Sequence, residues 1–272
     1  MDLTLILLLL ALGVVTGFLA GLLGIGGGMI MVPFLVMILT ARDFPHDAII
    51  KVAIATSLTT ILFTSLSSVR AHHSRGAVRW EIVKALAPGL VVGTLLGAQI
   101  VGALPARLIA AFFAVFIGWT AYKMLHRAKT TGADGNPRML PSTAGLIGTG
   151  GIIGVLSAFL GAGGGFLTIP FLTGRNVQIQ QAIATSAACG FPIALAGSVG
   201  YIIAGWNIHL PGQTFGYLYL PALAAIVPAS VLTAPLGART AHALSVNKMR
   251  AVFAMVLIGL SAYMLTRAIR GG

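Results

Sequence analysis

The chain reads as an all-α polytopic membrane protein of two homologous halves, each with about four full transmembrane helices plus one short broken or re-entrant segment. Three observations predict this. First, hydrophobic residues make up 57% of the 272 and charged residues 8%, where a soluble domain carries roughly 25% charged. The mean hydropathy is +0.98. Second, the apolar runs approach the ~20 residues that a bilayer requires of a helix, and they lack the apolar/polar alternation of a β-barrel. Third, a glycine cluster occurs twice. Gly24, Gly26, Gly27 and Gly28 precede Pro33 and Phe34, while Gly161, Gly163, Gly164 and Gly165 precede Pro170 and Phe171.

Taken in order, Leu3 to Leu23 is a first span. It lacks the basic start of a signal peptide and runs straight into the first cluster, so it is expected to be retained. Met29 to Leu39 is about half a span and ends at the polar turn 42–47. Spans follow from Ala48 to Val69, from Glu81 to Leu104 with Pro88 inside, and from Pro105 to Leu125. Composition changes sharply over 128–141, which reads as a linker between a first half, 1–127, and a second half, 142–272. The pattern then restarts. Ser142 to Leu160 is apolar, Phe166 to Thr173 is too short to cross, and Gly174, Arg175 and Asn176 turn the chain. Three spans complete it: Val177 to Ala204, Tyr217 to His242, and Val246 to Arg267.

The duplication extends beyond glycine. Ala53 to Ser57 reads Ala-Ile-Ala-Thr-Ser and recurs letter for letter as Ala182 to Ser186, while Pro88 matches Pro228 and Gly97 matches Gly237. Duplicated halves with interrupted helices at matching places are the mark of a secondary transporter, with the site between the repeats. If the short segments cross, the repeats are inverted; if they re-enter, the halves are parallel and both termini are cytoplasmic.

Net charge is +12, and the basic residues sit in short loops beside apolar runs. That distribution points to membrane topology rather than to nucleic acid, and it also suits an anionic substrate. Cys189 is the single cysteine, so there is neither an internal disulfide nor a partner for a cysteine metal site. The glycines carry no Lys-Ser/Thr of a phosphate loop, and no cofactor is called for. Asp2, Asp43, Asp47, Glu81 and Asp134 all lie outside or at the ends of spans. A membrane-embedded enzyme lacks the groups it would need; a passive anion channel is a further alternative.

Within this frame the clusters are expected to expose backbone donors at the start of each short segment, suited to a small oxyanion. Close helix packing is the competing role of such glycines. Thr56 with Ser57, and Thr185 with Ser186, offer hydroxyls on the next helices. Ser57, Thr60, Thr64 and Ser68 share one helical face, which either bonds substrate or bonds back to helices. Asp47 and Lys51 stand four apart and suit an ion pair; alternatively Lys51 or Arg175 attracts the anion. The histidines, His46, His72, His73, His126, His209 and His242, fall in or beside loops and read as solvated.

A Gly-x-Gly-Gly-Gly cluster followed by an apolar run and proline, duplicated in each half of a chain this size with Ala-Thr-Ser downstream, resembles the TauE/SafE family of sulfite exporters and toluene sulfonate uptake permeases. The resemblance covers nearly the whole chain. It implies a transporter in the cell inner (plasma) membrane that moves sulfite, sulfoacetate, thiosulfate or an organosulfonate by alternating access. Its conserved-type positions fall on Gly24, Gly26, Gly27, Gly28 and Pro33, and on Gly161, Gly163, Gly164, Gly165 and Pro170.

Overall fold

A computed structural model describes residues 3–23, 27–126, 139–240 and 246–270, at 23, 124 and 246–253 by their backbone alone. Residues 128–138 of the linker and the first two glycines of the first cluster, Gly24 and Gly26, therefore lie outside the described residues. The order of elements is α1 (Leu3–Leu23), α2 (Gly28–Thr40), α3 (His46–His73), α4 (Trp80–Ala103), α5 (Ala106–His126), α6 (Thr143–Leu160), α7 (Gly165–Thr173), α8 (Ile179–Ala204), β1 (Thr214–Phe215), β2 (Leu218–Tyr219), α9 (Leu220–Thr240) and α10 (Val246–Arg270). Among the described residues, seven helices are long and apolar enough to cross a membrane. With a rise of ~1.5 Å per residue, α2 and α7 reach well short of the ~30 Å hydrocarbon core.

Spans were expected where α1, α3 to α6 and α8 to α10 lie. One boundary moves: Tyr217 does not open a span. It belongs to a two-stranded hairpin in which Thr214 pairs with Tyr219 and Phe215 with Leu218, and α9 begins only at Leu220. Gly216, at φ 59°, makes the turn, a conformation that side chains with a Cβ resist.

The helices pack in a crossed arrangement. α1 lies along α9, α4 along α6, α5 along α10 and α3 along α8. Contacts between them fix the directions. Gly13, Gly17 and Gly21 meet Ile226, Ser230 and Ala234 in rising order, so α1 and α9 are parallel. Gly89, Gly93 and Gly97 meet Ile147, Gly151 and Val155, so α4 and α6 are parallel too. In contrast, Ser65 lies by Gly190 while Thr59 bonds Ser198, so α3 and α8 are antiparallel. These glycines let backbones meet directly, which is how helices associate when lipid supplies no hydrophobic drive. A Cβ on Gly89 would run into the Ile147 carbonyl, and one on Gly237 into that of Phe18.

α3 and α8 form the centre. In the most apolar stretch of α3, 78% of residues are buried, against 61% in α8 and 50% or less in the other five long apolar helices. That central place buries a row of hydroxyls on α3, where they face other helices instead of lipid.

The two short helices end alike. After α2, the Arg42 and Phe44 amides donate to the Leu39 carbonyl, with Asp43 at φ 53°; after α7, the Arg175 and Val177 amides donate to Leu172, with Asn176 at φ 61°. Asn176 thus corresponds to Asp43, not to Asp47 as the offset between the two Ala-Thr-Ser motifs would have it. α2 is four residues longer than α7, about one helical turn, and that insertion shifts the register.

Gly89→Ala is expected to lower stability by about 2–3 kcal/mol through backbone overlap. Gly148→Ala, where a Cβ meets nothing within 4 Å, should leave it unchanged or slightly higher. Thermal melts of the two purified variants in the same detergent test this.

Candidate functional site

Each helix break is built by a glycine that only glycine accommodates readily. Gly27 caps α2 at φ 66° and Gly164 caps α7 at φ 76°, both in the left-handed region that L side chains avoid. Their carbonyls accept the first helical hydrogen bonds, from Ile30 and Met31 and from Leu167 and Thr168. Gly28 and Gly165 open the helices, and Pro33 and Pro170 sit inside them. The breaks touch: a Cβ on Gly28 would collide with the Gly161 carbonyl.

Ser57 joins the same junction. Its hydroxyl donates to the Gly161 carbonyl at 2.7 Å, so an α3 side chain satisfies a backbone group exposed where α6 ends. Thr56 and Thr185 play a role the sequence did not reveal. Thr56 Oγ1 accepts from the Tyr219 amide at 3.1 Å, and Thr185 Oγ1 accepts from the Arg79 amide at 3.0 Å. Tyr219 directly precedes α9, and Arg79 directly precedes α4. Each threonine holds the entry of a helix from the opposite half of the chain.

Beside this junction lies a cavity between the second half of α3 and the first half of α8, with about 250 Å³ of free space counted out to its mouth. Thr64, Ser65 and Ser68 line it from α3, Ser186, Ala187 and Gly190 from α8, and Gly163 from the second glycine cluster. None of the lining side chains is charged. Thr64 and Ser65 donate to the Ile61 and Leu62 carbonyls of their own helix, leaving oxygen lone pairs free. Ser68 Oγ is buried without a hydrogen-bond partner, as is Ser157 Oγ, which lies beside Gly164. An unsatisfied buried hydroxyl costs about 1–3 kcal/mol, so both await a ligand or water.

Of the residues singled out in the sequence, Gly163, Ser186, Thr64 and Ser68 meet at the cavity. Gly27, Gly28, Gly161, Gly164, Gly165 and Ser57 frame the breaks; Gly24 and Gly26 lie outside the described residues. Lys51 and Arg175 stand elsewhere. The Lys51 ammonium donates to the Gly102 carbonyl at 2.7 Å and lies 5.8 Å from the centre of the Tyr217 ring. Burial pushes the Tyr217 phenol up from its ordinary range, so that ring stays neutral. Arg175 folds back, with Nη1 on the Phe171 carbonyl at 3.1 Å and its guanidinium 3.8 Å over the Phe171 ring.

Two features were missed. Ser65 and Gly190 line the cavity, and Gly190 was legible in principle, since the offset that matches the two Ala-Thr-Ser motifs sets it opposite Ile61. His72 is not solvated as expected; it is 1% exposed. Its position at the end of α3 suggested a loop environment, but α3 is the central helix and its last turn stays covered. His242 lies outside the described residues. No group of His, Cys, Asp or Glu suited to a metal occurs among the described residues.

Long apolar helices around a hydroxyl-lined central cavity define a multi-pass membrane protein of the transporter class. The chain belongs to the sulfite exporter TauE/SafE family, whose profile matches residues 9–264; it is a membrane transporter and not an enzyme. A probable membrane transporter protein of Haemophilus influenzae is 38% identical over 256 residues, covering 94% of this chain and 96% of that one. The probable membrane transporter protein YunE of Bacillus subtilis is 28% identical over 235 residues, covering 77% and 85%. No solved structure matches significantly.

Thr56→Val and Thr185→Val each orphan one backbone amide and should cost about 1–3 kcal/mol, with the corresponding serine variants close to wild type. Melting temperatures of the four proteins test the pairing.

Proposed function

We propose that this protein is a secondary transporter of a small sulfur-containing oxyanion, such as sulfite, thiosulfate, sulfoacetate or another organosulfonate. It works by alternating access between two inverted repeats, 1–127 and 142–272. The crossed packing supports the repeats: α1 with α9 mirrors α6 with α4, while α3 meets α8 and α5 meets α10. A two-fold relation along the membrane normal would set α3 and α8 parallel; their antiparallel course favours an axis in the membrane plane. In this reading α2 and α7 carry the chain across, and the linker lies on the side holding Arg70, Arg75, Arg79, Lys84, Arg175 and Arg239. Arg42, Arg107, Arg267 and Arg270 lie opposite. The heavier basic side is the cytoplasmic one.

The observation that carries the substrate reading is the unpartnered Ser68 hydroxyl at a cavity bordered by Gly163 and Ser186. Hydroxyl donors beside a helix break suit sulfonate or sulfite oxygens. Gly27 and Gly28 of the first break and Gly164 and Gly165 of the second set the shape of the junction, with Ser57, Pro33 and Pro170 behind them. Thr56 and Thr185 support the helix entries instead of touching the anion.

The test is thermal stabilisation of the purified protein by a panel of sulfite, thiosulfate, sulfoacetate and methanesulfonate. At least one should raise the melting temperature, and Ser68→Ala should weaken that response; stabilisation by none overturns the substrate reading. Gly27→Val and Gly164→Val should insert into membranes yet lose transport, because a Cβ would strain the left-handed backbone and meet the Thr16 carbonyl or the Ile193 side chain. Normal transport by both variants would reduce the breaks to packing devices.

A further inference from the structure

His72 is the buried titratable group that the proposed substrate site leaves unused. It follows Thr60, Thr64 and Ser68 at four-residue steps, so all four side chains share one stripe of α3. The stripe is continuous and buried: Thr60 is 0% exposed, Thr64 3%, Ser68 2% and His72 1%. Thr64 and Ser68 border the cavity, and His72 stands one turn beyond Ser68, toward the basic loop that holds Arg75 and Arg79. Ser68, with its unpartnered hydroxyl, is thus placed between the cavity and the imidazole.

We infer that His72 is the proton-carrying residue of the transport cycle, exchanging a proton with the cavity through Ser68 and Thr64 so that anion movement is coupled to proton movement. Imidazole is the side chain that gains and loses a proton near neutral pH. Hydroxyls both donate and accept, so with water in the cavity they pass a proton along without holding charge. The last turn of α3 also favours a cation through the helix dipole.

Other carriers are scarce around this stripe. α1, α2 and α6, which pack on α3, contain no charged residue. α8 brings only Cys189 and Tyr201 as titratable groups, and α9 brings Arg239. α5 brings Arg107, Tyr122, Lys123 and His126, and the hairpin brings Tyr217 and Tyr219. Arg70 and His73 on α3 and Arg75 in the turn after it flank His72; Arg75 reaches the Ala238 carbonyl of α9 and His73 takes a hydrogen bond from Trp80. Glu81, at the start of α4, pairs with Arg79. No carboxylate lies within α3 beyond its first turn, so His72 alone on the stripe can alternate between neutral and charged.

This inference rests on the substrate reading above, and the experiment separates the two. Full-length protein in liposomes is given ³⁵S-labelled thiosulfate or methanesulfonate, anions that do not themselves titrate near neutral pH, with a pH-sensitive dye trapped inside. Wild type should accumulate the label when a pH gradient is imposed and should move protons in proportion to it. His72→Gln should lose gradient-driven accumulation and dye response while retaining exchange of internal for external anion, which needs no net proton movement.

Anion exchange by wild type without any proton movement overturns the role of His72 and leaves the substrate reading standing. Coupled accumulation by His72→Gln at the wild-type level does the same. If the panel neither binds nor exchanges, the substrate reading itself falls, and this inference with it. Should His72→Gln fail to fold, the dye response of wild type alone decides whether protons move with the anion.

Discussion

A helix broken inside a membrane leaves backbone amides and carbonyls that lipid cannot satisfy, and every such group costs several kcal/mol if left alone. The structure is arranged around meeting that demand. The two breaks are set against each other, Gly28 on Gly161, and the Gly161 carbonyl receives the Ser57 hydroxyl. The same logic governs the entries to α4 and α9, whose leading amides are taken up by Thr185 and Thr56. Polar side chains on the two central helices thus complete the backbone of the helices around them.

Such an arrangement explains why serine and threonine, rather than charged residues, fill the interior. A hydroxyl can satisfy one backbone group while presenting a lone pair elsewhere, and it enters the bilayer at far lower cost than an ion. Where the hydroxyls outnumber the backbone groups, as at Ser68, the surplus borders the cavity. Lys51 and Arg175, the two cations the sequence offered for an anion, are drawn off to carbonyls and aromatic rings. The cavity therefore acts on its contents through neutral donors.

Glycine serves two ends that look alike in sequence. At Gly27 and Gly164 it permits a left-handed backbone that starts a short helix. At Gly13, Gly89 and Gly237 it removes the side chain where two long helices cross, and the carbonyl of one helix approaches the Cα of the next. The crossing contacts fix the parallel course of α1 with α9 and of α4 with α6. They leave α3 and α8 facing each other, antiparallel, around the cavity.

The sequence by itself determined the membrane setting, the two short helices, the family and most helix limits, because apolar run length and glycine breaks are local properties. It also singled out Thr56, Ser57, Thr185 and Ser186, within the letter-for-letter match between the halves, as hydroxyls for the substrate, whereas Thr56, Ser57 and Thr185 bond backbone groups. What it left open was which hydroxyl meets a backbone amide and which meets the cavity: Thr56 and Ser57 are adjacent, yet one holds Tyr219 and the other Gly161. Only the tertiary structure decided that, since helical neighbours point about 100° apart and their partners come from distant parts of the chain. His72 was misread for the same reason. Its burial depends on α3 being the central helix, and centrality is a property of the packed assembly rather than of any stretch of residues.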